Sequence, residues 1–118
     1  MSYIDGFVVP VPAGNKEAYL KASRKMTAIC KRYGAIRMVE CWGDDVPDGK
    51  VTDFKRAVAA KAGETVTLGW VEWPSKEVRD KANKAMMEDP EMKNMDMPFD
   101  GKRMIFGGFE VLDDTANA

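Results

Sequence analysis

Apolar residues fall into four short runs and two longer periodic stretches, and the order of these blocks fixes the expected architecture. Tyr3, Ile4, Phe7, Val8, Val9 and Val11, bounded by Pro10 and Pro12, read as a strand over 3–11. Tyr19, Ala22, Met26, Ile29 with Cys30, and Tyr33 then recur three and four residues apart. That spacing predicts one apolar stripe on a helix of about five turns, with Asn15 as N-cap and Gly34 as C-cap. Lysines and arginines at 16, 21, 24, 25, 31 and 32 fill its other side and read as a solvated face. Residues 35–43 (AIRMVECWG) and 65–73 (TVTLGWVEW) are the second and third strands. Between them runs a long connection with a short helical stretch near 52–60. Ser75 caps a second long helix with Glu77 in its first turn and Val78, Ala82, Ala85 and Met86 on one face. Asp89-Pro90 ends it, a loop or short extra turn follows, and 103–112 (RMIFGGFEVL) forms the last strand.

The order strand-helix-strand-strand-helix-strand is the split βαβ pattern of an α+β, ferredoxin-like fold: a four-stranded antiparallel sheet with two helices on one face. One domain over 1–112 is expected, followed by a polar tail over 113–118. The strands are apolar on both phases: Ile36, Met38 and Trp42 against Val39 and Cys41, and Val66, Leu68 and Trp70 against Val71 and Trp73. Two helices cover only one face, so the other calls for a partner. A second copy packed sheet to sheet, a homodimeric α/β barrel, is the economical one.

Charge and composition narrow the chemistry. The chain has 118 residues, 18 Lys plus Arg against 19 Asp plus Glu, a net charge of -1 and no histidine. Without histidine, His-based zinc sites, a proximal haem ligand and Ser-His-Asp or Cys-His catalysis within one chain are excluded. No basic face stands out, which argues against nucleic acid as a partner. Cys30 and Cys41 form no CxxC and read as two small buried residues. The N-terminus lacks a basic region followed by a long apolar stretch, and no window approaches the ~20 apolar residues of a membrane span. The expectation is a cytoplasmic protein that does not engage membranes.

Four blocks carry a family resemblance: YIDGFVVPVP at 3–12, CWGDDVPDGKVTDF at 41–54, GETVTLGWVEWPSKEVRDKAN at 63–83 and MPFDGKRMIFGGFEVL at 97–112. Together they resemble the YbaA-like family of uncharacterised bacterial proteins, domain of unknown function 1428. The resemblance implies the ferredoxin-like fold and the dimeric α/β-barrel group, and it implies no activity. That group includes cofactor-free oxygenases, isomerases, haem enzymes and ligand binders, so the fold alone does not select a function.

Strand-borne glutamates are the first candidates for chemistry. Glu40 shares a strand face with Met38 and Trp42, Glu72 with Leu68 and Trp70, and Glu110 with Met104, Phe106 and Leu112. Carboxylates in step with large apolar groups have their pKa raised by burial or lowered by a nearby cation, and Arg37 and Arg103 are the available cations. A barrel lined by Glu40, Glu72, Trp42, Trp70 and an arginine would bind a small organic molecule and move a proton without a cofactor, Glu40 or Glu72 acting as base. Trp42, Trp70, Arg37, Arg103 and Glu110 are the candidate ligand-binding residues. Oxygenase-type chemistry on an electron-rich substrate is a special case of that reading. The alternatives are ion pairs at a dimer interface and a non-catalytic binding or stress-associated dimeric module. No metal is expected: the acidic loop from Asp44 to Gly49 fails the calcium-loop template, with Val46 third and Lys55 twelfth when Asp44 is first. Met86, Met87, Met92, Met95 and Met97 read as flexible packing filler. Gly107-Gly108 reads as a bulge or a close backbone approach, and the 44–63 connection as a lid or an interface arm.

Overall fold

In the computed structural model, which describes residues 2–117, chain order runs β1 (Tyr3–Pro12), α1 (Lys16–Arg32), β2 (Arg37–Trp42), α2 (Phe54–Ala57), β3 (Glu64–Trp73), α3 (Lys76–Glu88), α4 (Pro90–Lys93) and β4 (Ile105–Glu110). The strands form one antiparallel sheet in the order β2-β3-β1-β4. The architecture is α+β, as the periodicity predicts.

Local chemistry sets the boundaries. Gly34, at φ +109°, follows the end of α1, and the Gly34 and Ala35 amides donate to the Lys31 and Cys30 carbonyls at 3.1 and 3.0 Å. This pairing of two orphan carbonyls is the Schellman arrangement, and a left-handed residue there favours glycine. Asn15 occupies the N-cap position of α1 but makes no side-chain cap bond, so the expected cap is only positional. Ser75 Oγ does accept from the Val78 amide, at 3.2 Å, and caps α3. Asp89 closes α3 and caps the single turn of α4, where Pro90 fits because its missing N–H lies at a helix start. The last strand is shorter than expected. Asp100 caps a 3-10 turn over Gly101–Arg103, so pairing begins only at Ile105.

Period-two alternation divides the sheet into two faces. Tyr3, Phe7, Val9, Val11, Met38, Val71 and Trp73 point to the side covered by the helices, where Ile29 and Cys30 of α1 and Ala82 and Met86 of α3 complete the core. On the opposite side Val8 and Val66 pack beneath Val46, Val58 and Ala60 of the long connection. That connection therefore folds back on its own sheet. Arg56 secures it by donating to the Val51 carbonyl at 3.0 Å and to that of Gly49, while Asp53 accepts from the Arg56 and Gly49 amides.

The rest of the opposite face is open. Leu68, Ile105 and Phe109 are 42 %, 44 % and 55 % exposed there. Cys41 lies on this face and is exposed, contrary to the reading of both cysteines as buried; only Cys30 is in the core. Gly107-Gly108 is no bulge either, since β1 and β4 stay in continuous register from Tyr3 opposite Glu110 to Val8 opposite Ile105. Gly108 is a close approach within the chain: a Cβ there would press on the Tyr3 side chain and lie 2.8 Å from Arg79. Among the described residues, no helix is long and apolar enough to cross a membrane.

Candidate functional site

A cavity of about 640 Å³ lies between the helices and the sheet. Its volume falls within the range of small-molecule sites. Phe7, Val9 and Val71 floor it, α1 contributes Ala22, Met26 and Cys30, and α3 contributes Met86 and Met87. Met92, Met97, Phe99 and Met104, from the segment between α3 and β4, close one side, with Phe106 beside them. Seven of the chain's nine methionines line this space, including Met38 from β2. Of the methionines between 86 and 97, Met86, Met92 and Met95 pack in the core as filler, and all but Met95 also border the cavity.

Two polar groups break the apolar lining. The first is built on Glu40. Cross-strand register puts Glu40, Gly69, Phe7 and Phe106 in one row on the helix side. Gly69 is required by crowding, because a Cβ there would run into the Glu40 carboxylate and lie 2.5 Å from the Phe7 ring. Tyr19, on α1, donates its hydroxyl to Glu40 Oε1 at 3.0 Å and shares a second 3.0 Å hydrogen bond with Thr67 Oγ1. The Tyr19 ring lies between Trp42 and Phe99, with centroids at 6.0 and 5.9 Å. Burial pushes the Glu40 carboxyl above the ordinary carboxylate range, while the Ser23 and Tyr19 hydroxyls pull it partly back. Burial likewise pushes the Tyr19 hydroxyl up, so it stays protonated near neutrality.

The second group is an ion pair. Arg79 of α3 grips Asp5 of β1 through Nε and Nη2 at 3.0 and 2.8 Å, and Trp73 Nε1 donates to the same carboxylate at 2.9 Å. Arg79 also stacks 5.2 Å over the Tyr3 ring and reaches Asp80 through Nη1 at 2.9 Å. Hydrogen bonding to Asp5 raises the Arg79 pKa and fixes its charge. Asp5 sits two strands across and two residues along from Glu40, which sheet spacing converts to about 12 Å. Cys30 faces the same cavity, its thiol pushed up to about 11 by burial and by the Asp5 charge.

The expected site residues do not meet in one place. Glu40 lines the cavity, and Trp42 supports it through the Tyr19 ring. Glu72, Trp70 and Arg37 lie together on the opposite face, where Glu72 accepts from Arg37 Nε at 2.7 Å and Trp70 Nε1 at 3.0 Å. The single barrel lining of Glu40, Glu72, Trp42, Trp70 and an arginine is corrected accordingly: Glu72 and Glu40 stand at odd spacing across the register, Glu72 opposite Arg37, and alternation sends them to opposite sides. Arg103 is held elsewhere, in paired contacts of 2.7 and 2.8 Å with Glu64 and one of 3.0 Å with Asp100. Glu110 is exposed at the end of β4. Tyr19, Thr67, Asp5 and Arg79 are the polar residues that pattern reading missed. Asp5 carried a signal, as an acid in phase with Tyr3, Phe7 and Val9 in the first strand.

Fold and cavity together define a small α+β protein with an apolar internal site and one uncompensated carboxyl. The chain belongs to the family described as protein of unknown function (DUF1428), whose profile matches residues 2–101. It is 59 % identical over 116 residues to the uncharacterized protein YbaA of Escherichia coli strain K12, covering 97 % of this chain and 99 % of that one. The uncharacterized protein YbaA of Shigella flexneri matches to the same extent, 59 % over 116 residues.

Proposed function

We propose that the protein binds a small organic molecule in the cavity between helices and sheet, with Glu40 and Tyr19 as the polar pair that orients it and exchanges a proton with it. The observation that carries this reading is the conjunction of an apolar space of about 640 Å³ with a single carboxyl inside it that lacks a cation. A carboxyl whose pKa is raised by burial is a stronger proton acceptor, and holds its proton to higher pH, than a solvated one. No metal or cofactor is needed for that step. The overwhelmingly hydrocarbon and thioether lining, with one unpaired carboxyl and no nucleophile activated beside it, also fits a second reading, a binding protein without catalysis.

The assembly proposed around this site is a ferredoxin-like βαββαβ protomer paired sheet to sheet as a homodimeric α/β barrel. The exposed Leu68, Ile105 and Phe109 on the open face support it, since contiguous apolar surface of this kind marks association sites. In such a dimer Glu72, Trp70 and Arg37 belong to the interface and the ligand cavities lie outside it, one per protomer. Two free thiols suit the reducing cytoplasm.

The test is a thermal-shift screen of a broad metabolite collection against the wild-type chain and Ala22→Phe. Ala22 is buried on α1 and borders the cavity, so the larger ring occupies the void. Compounds that stabilise the wild type and lose their effect on the variant support the site. Compounds that stabilise both equally place binding elsewhere and contradict it.

A further inference from the structure

The charge balance inside the cavity points beyond binding in general to the class of ligand. Five titratable side chains face the space: Tyr19 and Cys30 from α1, Asp5 from β1, Glu40 from β2 and Arg79 from α3. Asp5 and Arg79 neutralise each other through their forked contact, and Arg79 spends its remaining arm on Asp80. Tyr19 and Cys30 hold their protons at neutral pH, because burial raises both. Glu40 is the odd charge out. Its neighbours are hydroxyls, glycine and the Phe7 ring, and among the described residues no lysine or arginine pairs with it. A buried carboxylate without a counter-ion is costly, and a bound cation removes that cost.

The walls suit the same guest. Aromatic faces attract cations through their quadrupoles, and methionine sulfur is polarizable and conforms to irregular shapes. Phe7, Tyr19, Trp73, Phe99 and Phe106 supply the rings, and the methionines supply the thioethers. A ligand carboxylate, by contrast, would meet Glu40 with no cation free to receive it.

We propose that the cavity takes an organic cation: a compact aromatic or alicyclic body with one protonated amine, whose nitrogen sits on the Glu40 carboxylate while the body packs among the methionines. Gly69 fits this arrangement, since any side chain there would run into the Glu40 carboxyl that lines the cavity. This inference rests on the cavity reading above and adds the sign of the ligand's charge.

Isothermal titration with three probes of matched shape separates the two: 1-naphthylmethylamine, 1-naphthylmethanol and 1-naphthoate. The wild-type chain is expected to bind the amine at least about tenfold more tightly than the alcohol, the scale of one charge-assisted hydrogen bond, and to bind the acid least. In Glu40→Gln the amine's advantage over the alcohol disappears. Equal or tighter binding of the alcohol by the wild type overturns the cation inference and leaves the cavity reading standing. Failure of all three probes to bind overturns both.

Discussion

Removing one oxygen atom tests how the cavity's polar end is held together. Tyr19 Oη lies 3.0 Å from Glu40 Oε1 and 3.0 Å from Thr67 Oγ1, and the Thr67 residue is 0 % exposed. In Tyr19→Phe the ring remains in place between Trp42 and Phe99, so packing is conserved and the loss is confined to hydrogen bonding. Thr67 loses its partner in a site closed to water, and Glu40 loses a donor. A buried group orphaned in this way costs about 1–3 kcal/mol. Denaturation in guanidinium chloride should show a loss in that range, and a melting temperature lower by roughly 4 °C per kcal/mol for a chain of this size. Thr67→Val alone should cost less, because Tyr19 still donates to Glu40. Combined with Tyr19→Phe it removes the orphan, so the double variant should be more stable than the sum of the singles by roughly 1 kcal/mol. A Tyr19→Phe protein within about 0.5 kcal/mol of wild type, with strictly additive singles, would show that the hydroxyl bridges nothing of consequence and would refute the reasoning.

Three further outcomes follow from the charges and the open face. Burial raises the Glu40 pKa in the folded state, so its contribution to stability is full below the unfolded carboxyl's range and is lost as pH rises through the folded value. Glu40→Gln should therefore be the more stable protein at about pH 8, with the gap closing below about pH 4, in denaturation curves recorded across that range. Glu64 has the opposite sign: Arg103 holds its carboxyl at about 2, below the ordinary 4.5, so its contribution is present above 4.5 and lost as pH falls towards 2. Arg103→Ala should flatten the acid limb of the stability profile in that window, and an unchanged limb would count against the pair. Leu68→Asp places a charge on the open sheet face. Sedimentation should convert from dimer to monomer with the circular dichroism spectrum retained, and a monomeric wild type at micromolar concentration would remove the barrel proposal.

Much of the architecture was legible because it is local. Three- and four-residue spacing marked α1 and α3, and Ser75 and Gly34 ended or began helices for reasons carried by single residues. Strand alternation alone also places Glu40, Met38 and Trp42 on one face, without reference to pairing. What alternation does not contain is which face receives the helices. That choice depends on register between distant strands, and it separated Glu72 from Glu40. The Asp5–Arg79 pair joins residues 74 apart, a separation no local pattern bridges. Cys41 escapes pattern reading because a small apolar residue on a strand can face either side, and here it faces the open one. The methionines between 86 and 97 were visible as a cluster, but their common direction towards one void emerges only once α3, α4 and the approach to β4 fold over the sheet.

The central claim, that the space between helices and sheet is a ligand site, is tested most directly by methyl NMR of the protein labelled with ¹³C at its methionine methyl groups. Met26, Met38, Met86, Met92, Met97 and Met104 border the cavity, whereas Met95 packs on the core outside it and serves as an internal reference. Titration with neutral 1-naphthylmethanol should shift the cavity methyls together and saturably while the Met95 signal stays in place. Cavity methyls that remain fixed as the probe reaches saturation would contradict the account.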